Sequence, residues 1–103
     1  MAINQKQIER VMGLFCSLME KNIFLLYDIN LQKIAELCKC SSLILEEALL
    51  VQLGFSLKQT IALYRIQYAR ELLSIGIGYG FVYKYSGFNS QKELEEALES
   101  IVN

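Results

Sequence analysis

The feature that most constrains the fold of this chain is the spacing of its apolar residues, which recur every three or four positions along most of its length. This spacing places them on one face of an α-helix, whereas a half-buried strand requires strict alternation. The pattern predicts a first helix over about residues 4–21, with Asn4 as its N-cap and Gln7 in a capping box. We therefore expect a largely helical protein.

A short helix, a tight turn and a second helix are predicted over about residues 30–53. Apolar residues at helical spacing lie on both sides of Ser41 and Ser42, which are good N-caps. Gly54 is typical of the residue that follows a helix C-terminus. A longer helix, over about residues 56–74, is expected next because its apolar residues again follow the helical period.

The segment over residues 76–85 departs from this pattern. Its large side chains alternate with glycines or smaller residues, which is the period of a strand. They are Ile77, Tyr79, Phe81, Tyr83 and Tyr85. Glycine inside a helix also costs about 1 kcal/mol relative to alanine. The pattern leaves this segment open to an extended or loop conformation, before a final amphipathic helix.

Three stretches of the sequence carry the residue order of a known family. The longest runs from Gly54 to Leu73 and contains Arg65 and Ala69 before a closing Leu-Leu pair. The others are residues 31–45 and the Gly87-Phe88 step. They fall within a resemblance that covers roughly residues 31–100 without an insertion or deletion. On these stretches the chain resembles the DNA-binding domain of the AraC/XylS family of bacterial transcription regulators.

The resemblance implies an all-α fold in which two helix-turn-helix units are joined by a long linker helix, all within a single domain over residues 1–103. The two units are expected at about residues 30–53 and 77–102, and the linker helix at about 56–74. The function it implies is binding of double-stranded promoter DNA in the bacterial cytoplasm. The second helix of each unit is expected to enter the major groove.

The same resemblance indicates which residues contact DNA. The predicted base-reading residues are Ser42, Leu43, Glu46 and Glu47 in the first unit and Asn89, Ser90, Gln91 and Lys92 in the second. The predicted phosphate contacts are Lys39, Lys58, Arg65 and Lys84. Backbone amides at the N-termini of both reading helices are further donors to phosphate.

The charges of the two reading helices favour a different function. The first carries Glu46 and Glu47 without a basic residue, and the second carries Lys92 against four glutamates. Affinity for DNA comes largely from neutralisation of phosphates by Lys and Arg. The alternative is an AraC-like fold that has lost DNA binding and acts as a protein-interaction or dimerisation module, antagonising a related regulator.

An apolar surface on the first reading helix supports this alternative. Leu43, Ile44, Leu50 and Val51, added to the core positions, make the helix apolar nearly all round. A helix that is apolar on every face has to be covered by something. We expect these four residues to form an interface with a second copy of the chain or with a partner regulator.

Enzymatic and metal chemistry are not expected. The 103 residues include no histidine, so the usual general base and the commonest metal ligand are missing. Cys38 and Cys40 are spaced like two ligands of a soft metal, but Cys16 is the only other cysteine and a tetrahedral zinc site needs four ligands. We therefore predict no catalytic residue, no cofactor and no metal.

The sequence also bears on location. An odd number of cysteines without a signal peptide indicates a reducing cytoplasm rather than a disulfide framework. The longest apolar stretch, over residues 23–27, is far too short to cross a bilayer. We therefore expect no contact with a membrane.

Overall fold

The computed structural model describes residues 4–102, and the side chains of residues 4–100. Its elements are a 3₁₀ turn (Ile23–Leu25) and the helices α1 (Gln5–Glu20), α2 (Leu31–Leu37), α3 (Ser42–Leu53), α4 (Leu57–Ser74), α5 (Tyr79–Tyr85) and α6 (Gln91–Val102). No strand occurs between residues 4 and 102. The prediction of an all-α fold is thus confirmed. None of the helices in this part of the chain is long and apolar enough to span a membrane.

The described residues form two compact units. The first contains residues 4–23 and 28–60, and the second contains residues 24–27 and 61–102. Helix α4 begins in the first unit and continues in the second. Each unit has its own buried residues and its own helix-turn-helix.

Short polar residues begin the helices of the first unit, as the sequence predicts. Asn4 accepts a 2.9 Å hydrogen bond from the amide of Gln7, whose side chain accepts from the Asn4 amide. Asn30 and Ser41 cap α2 and α3 in the same way, each accepting from the amide three residues later. Helix α3 ends at Gly54, whose φ of 78° is left-handed. Each cap satisfies an amide that has no partner inside its helix, which is worth about 1 kcal/mol.

The core of the first unit lies between α1, α2 and α3, because α3 packs against both other helices. Phe15, Ile34, Leu45 and Leu49 are the largest of its fully buried side chains. Around them lie Ile8, Val11, Met12, Met19, Ala35, Cys38, Ala48 and Leu57. In each helix these residues follow the three- and four-residue spacing, so the apolar period correctly predicted the buried face.

The second unit is built on the later part of α4, against which α5, α6 and the turn between them pack. Its buried cluster contains Ile66, Ala69, Val82, Phe88 and Leu94. Phe24 joins the same unit through its ring, whose centroid lies 5.4 Å from that of Tyr64 and 6.1 Å from that of Tyr68. Aromatic contacts of this kind therefore fix residues 24–27 to α4.

The extended or loop alternative for residues 76–85 is wrong for most of that segment, since Tyr79–Tyr85 is helix α5. Only the residues up to Gly78 lie outside regular structure. As a helix, α5 buries Val82 completely and Tyr83 in part. Burial of Val82 against α4 and α6 thus overrides the local alternation, and Gly80 is the single glycine inside the helix.

Candidate nucleic-acid interface

Helices α2 and α3 form a helix-turn-helix whose turn is only a few residues long. The amide of Cys40 donates a 3.1 Å hydrogen bond to the carbonyl of Ala35, which closes the turn. Lys39 lies between the helices with a φ of 57°, in the left-handed region that non-glycine residues rarely adopt. Ser41 then caps α3. The first predicted reading helix therefore begins directly after a strained, exposed lysine.

Helices α5 and α6 form the second helix-turn-helix, and its turn contains a closely packed glycine. Gly87 has a φ of 89°, and a Cβ placed on it would lie 2.8 Å from the carbonyl oxygen of Phe24. It would lie equally close to Nε of Arg65. Both the conformation and the space at this position therefore require glycine.

Arg65 is held inside the second unit. Its Nε donates a 2.7 Å hydrogen bond to the carbonyl of Phe24, and its Nη2 donates one of the same length to the carbonyl of Leu26. The guanidinium carbon lies 5.9 Å from the centroid of the Phe88 ring. Burial lowers the pKa of Arg65, while the charge of Glu93 raises it. This geometry supports a structural role, and it lends no support to the predicted phosphate contact.

Glu46, one of the predicted base-reading residues, lies at the junction between α3 and α4. Its Oε1 accepts a 2.7 Å hydrogen bond from the amide of Leu57, the first residue of α4. That amide has no partner within the helix, and a carboxylate is favoured at the positive end of the helix dipole. Glu46 is half-buried as a result. Glu46 therefore stabilises the start of α4, and its carboxylate is not a free group on the surface of α3.

Glu93 has the same kind of role at the start of α6. Its carboxylate accepts a 3.0 Å hydrogen bond from the amide of Asn89, while its own amide donates one of 3.1 Å to Oγ of Ser90. This arrangement closely resembles a capping box. Two of the glutamates on α3 and α6 are therefore engaged at helix starts, where each keeps its negative charge while it satisfies a backbone amide.

The remaining predicted base-reading residues are accessible. Ser42, Glu47 and Ser90 are half-buried, and Leu43, Asn89, Gln91 and Lys92 are exposed. On α6, the side-chain Nε2 of Gln91 donates a 3.2 Å hydrogen bond to Oε1 of Glu95. The Nζ atom of Lys92 lies 3.9 Å from Oε1 of Glu96. Ser42, Leu43, Gln91 and Lys92 lie in the first turns of α3 and α6, where a helix in the major groove meets base edges, whereas Asn89 and Ser90 precede α6 and Glu47 lies in the second turn of α3.

Three of the predicted phosphate contacts remain free for that role. Lys39 lies in the turn before α3, Lys58 in the first turn of α4 and Lys84 near the end of α5. All three are exposed. Within residues 4–100, the ion pairs are those of Lys33 and Lys92, so these three lysines carry unpaired charge.

The outward side of α3 is apolar, as the alternative function predicts. The exposed fractions of Leu43, Leu50 and Val51 are 72%, 51% and 60%, whereas Ile44 is half-buried. Glu47 lies between them, since positions four and three residues apart share a side of a helix. We call Leu43, Glu47, Leu50 and Val51 the α3 stripe. It includes no basic residue, and neither does the rest of α3.

Cys38 and Cys40 have the spacing of two soft-metal ligands, and Cys38 is buried. Burial, followed by the neighbouring Cys40, raises the pKa of Cys38 to about 11, and burial also raises the pKa of Cys40. A raised pKa disfavours the thiolate, which is the form that binds metal. Among the residues that the structure describes, no three His, Cys, Asp or Glu side chains are grouped so that they could hold a metal ion.

Sequence reasoning correctly predicted that helices occur at α3 and α6, but it missed the internal roles of Arg65 and Glu46. The acceptors of Arg65 lie 41 and 39 residues away along the chain, and the donor to Glu46 lies 11 residues away. No local sequence pattern predicts contacts between residues this far apart along the chain. The Gly87-Phe88 step was the one available signal, because a glycine that requires a left-handed φ marks a close approach.

Comparisons with known proteins leave the family of the chain open. No protein-family model, no curated protein and no solved structure matches it. The likeness to AraC/XylS regulators therefore rests on the residue order of Gly54–Leu73 and its neighbouring stretches.

Proposed function

We propose that this chain is a non-enzymatic transcription-regulator domain that binds double-stranded promoter DNA by placing α3 and α6 in the major groove. The observation that carries the proposal is the pair of helix-turn-helix units, α2 with α3 and α5 with α6, separated along the chain by α4. This order of helices is the one that the resemblance to AraC/XylS regulators implies. In such units the second helix reads the bases.

The first turns of the reading helices offer suitable side chains. Leu43 presents an exposed methyl surface to a thymine methyl group, and the exposed amide of Gln91 can form paired hydrogen bonds with adenine. Lys92 adds a cation beside Gln91.

Phosphate contacts are expected from Lys39, Lys58, Lys84 and Lys92. Each phosphate that a cation neutralises contributes about 0.9 to the slope of log affinity against log salt concentration. Four contacts give a slope of about −3.6, so affinity should fall roughly a hundredfold between about 50 and 200 mM salt. The binding should be weak and strongly dependent on salt.

Fluorescence anisotropy with a labelled duplex of mixed sequence tests the proposal. We expect a dissociation constant in the micromolar range at about 50 mM salt, since non-specific affinities at physiological salt are about 1 to 100 µM. Lys39→Ala with Lys58→Ala should weaken binding, whereas the matched double variant Lys6→Ala with Lys21→Ala, in α1 and at its C-cap, should not. Absence of binding at tens of micromolar protein contradicts the proposal.

The α3 stripe favours a second candidate function, that of a protein-interaction module which has lost DNA binding and antagonises a related regulator. Large exposed apolar side chains grouped on one helix are typical of protein-interaction sites. Sedimentation and duplex titration of the same sample distinguish the two functions. A protein that associates but binds no duplex supports this candidate, and a monomer that binds duplex contradicts it.

A further inference from the structure

Among the exposed apolar side chains of each unit is a group on one helix that includes a charged residue. In the first unit this is the α3 stripe, where Glu47 lies among apolar side chains. In the second unit it is formed by Phe81, Lys84 and Tyr85 on α5, which we call the α5 face. The exposed fractions of Phe81 and Tyr85 are 62% and 58%. The two faces carry opposite charges.

The α5 face is continuous because its members are three and four residues apart on a helix. Val82, which follows Phe81 along the chain, lies outside this face and is completely buried. Gly80 lies beside it, and a Cβ placed there would have no atom nearer than 4.0 Å. Helix α5 contains no acidic residue. The face therefore combines two exposed aromatic rings, one cation and a glycine beside which another side chain can lie close to the backbone.

Neither face is complementary to itself. If the α3 stripes of two copies packed on each other, Glu47 of one copy would lie against Glu47 of the other. If the α5 faces of two copies packed on each other, the two Lys84 side chains would meet in the same way. Like charges brought together at an interface and partly desolvated are unfavourable. The two faces are complementary to each other, because a contact between them sets Glu47 against Lys84 and apolar side chains against aromatic rings.

We propose that one copy of this chain binds another by packing its α3 stripe on the α5 face of the other copy. In this contact Glu47 of one copy lies against Lys84 of the other, and the apolar side chains of the stripe cover Phe81 and Tyr85. This inference rests on the second candidate function and names its partner as a second copy of the chain. The contact covers α3, so self-association and insertion of α3 into DNA exclude each other.

Charge exchange between the two faces tests the proposal directly. Sedimentation velocity over about 1 to 200 µM measures the association of the wild type, Glu47→Lys, Lys84→Glu and the double variant, a range suited to weak interfaces. Each single substitution should raise the dissociation constant about tenfold or more, and the double variant should return to within about threefold of the wild type. Glu20→Lys and Lys6→Glu, both exposed on α1, are the matched controls and should change nothing.

Two results overturn the proposal: a wild type that is monomeric at the highest concentration, or a double variant that associates no better than the single ones. Circular dichroism shows whether each variant is folded. Should a charge variant fail to fold, Leu50→Gln and Phe81→Gln replace it, and each must weaken association for the proposal to stand. Both residues are more than half exposed. Duplex binding measured on dilute monomer reports separately on the DNA-binding proposal.

Discussion

The two helix-turn-helix units differ in how their turns are held. The turn between α2 and α3 is stabilised locally, by the cap of Ser41 and a backbone hydrogen bond of Cys40. The turn between α5 and α6 depends on distant residues, because Gly87 packs against the Phe24 carbonyl that Arg65 also binds. The comparison shows that one supersecondary form can be specified by neighbouring residues or by contacts far apart in the chain.

The outward surfaces of the two second helices differ as well. Helix α6 is amphipathic, with Leu94 buried and a charged outer side. Helix α3 is apolar inside and outside, and Glu47 is the one charge of its stripe. The charged outer side of α6 is well solvated by water, whereas the apolar side chains on the outer side of α3 gain free energy when another surface covers them. The function of the chain is therefore more closely tied to α3.

The largest loss of stability is expected for Gly87→Ala, which tests whether the turn between α5 and α6 depends on close packing. The new Cβ would meet the Phe24 carbonyl and Arg65, and alanine would be held at a φ of 89°, so we expect a loss of about 3 kcal/mol of unfolding free energy. The control is Gly54→Ala, where φ is 78° but no atom lies within 4 Å, and a loss of about 1 kcal/mol is expected. Urea denaturation measures both. Equal losses would show that the space around Gly87 is not decisive.

The next largest effect is expected for Arg65→Met, which removes two hydrogen bonds to backbone carbonyls. These are charge-assisted bonds in a half-buried site, and their loss leaves the carbonyls of Phe24 and Leu26 without the guanidinium. We expect a destabilisation of about 2 to 3 kcal/mol. Arg70→Met, at an exposed position of the same helix, should change stability by less than about 0.5 kcal/mol. Similar denaturation midpoints for the two variants would refute the role assigned to Arg65.

A smaller effect is expected for Glu46→Ala in the first unit. It removes the acceptor of the Leu57 amide at the start of α4, which should cost about 1 kcal/mol. Glu47→Ala is the matched control on the same helix, and a change within about 0.5 kcal/mol is expected because its carboxylate accepts no hydrogen bond among residues 4–100. Thermal unfolding of both variants measures the difference. A Glu46 variant as stable as its control would mean that α4 starts without this cap.

Whether a structural feature of this protein could be predicted from the sequence depends on how far apart along the chain the interacting residues lie. The caps at Asn4 and Ser41 and the left-handed Gly54 were predictable, because each involves residues at most five apart along the chain. The local pattern did not predict the helical state of Tyr79–Tyr85, although the resemblance implied it, because that state is decided by burial of Val82 against other helices. The structural roles of Arg65 and Glu46 were missed for the same reason, and both had been taken for surface charges.

The smallest effect is expected for Lys39→Gly in the first turn. Lysine at a φ of 57° is strained by roughly 1 kcal/mol, and glycine removes this strain. Part of the stabilisation is lost because glycine has more conformational freedom in the unfolded chain. We expect a stabilisation of about 0.5 kcal/mol. At Lys58, which is helical, the same substitution should instead destabilise by about 0.5 to 1 kcal/mol. Destabilisation at both positions would show that Lys39 is not strained.

The most direct test of the central claim, that both helix-turn-helix units bind DNA, is the salt dependence of duplex affinity in two pairs of variants. Lys39→Ala with Lys58→Ala removes cations next to α3, and Lys84→Ala with Lys92→Ala removes cations on α5 and α6. Each double variant should make the slope of log affinity against log salt less steep by about 1.8. A slope that neither pair changes, or a wild type that binds no duplex at low salt, would contradict the claim.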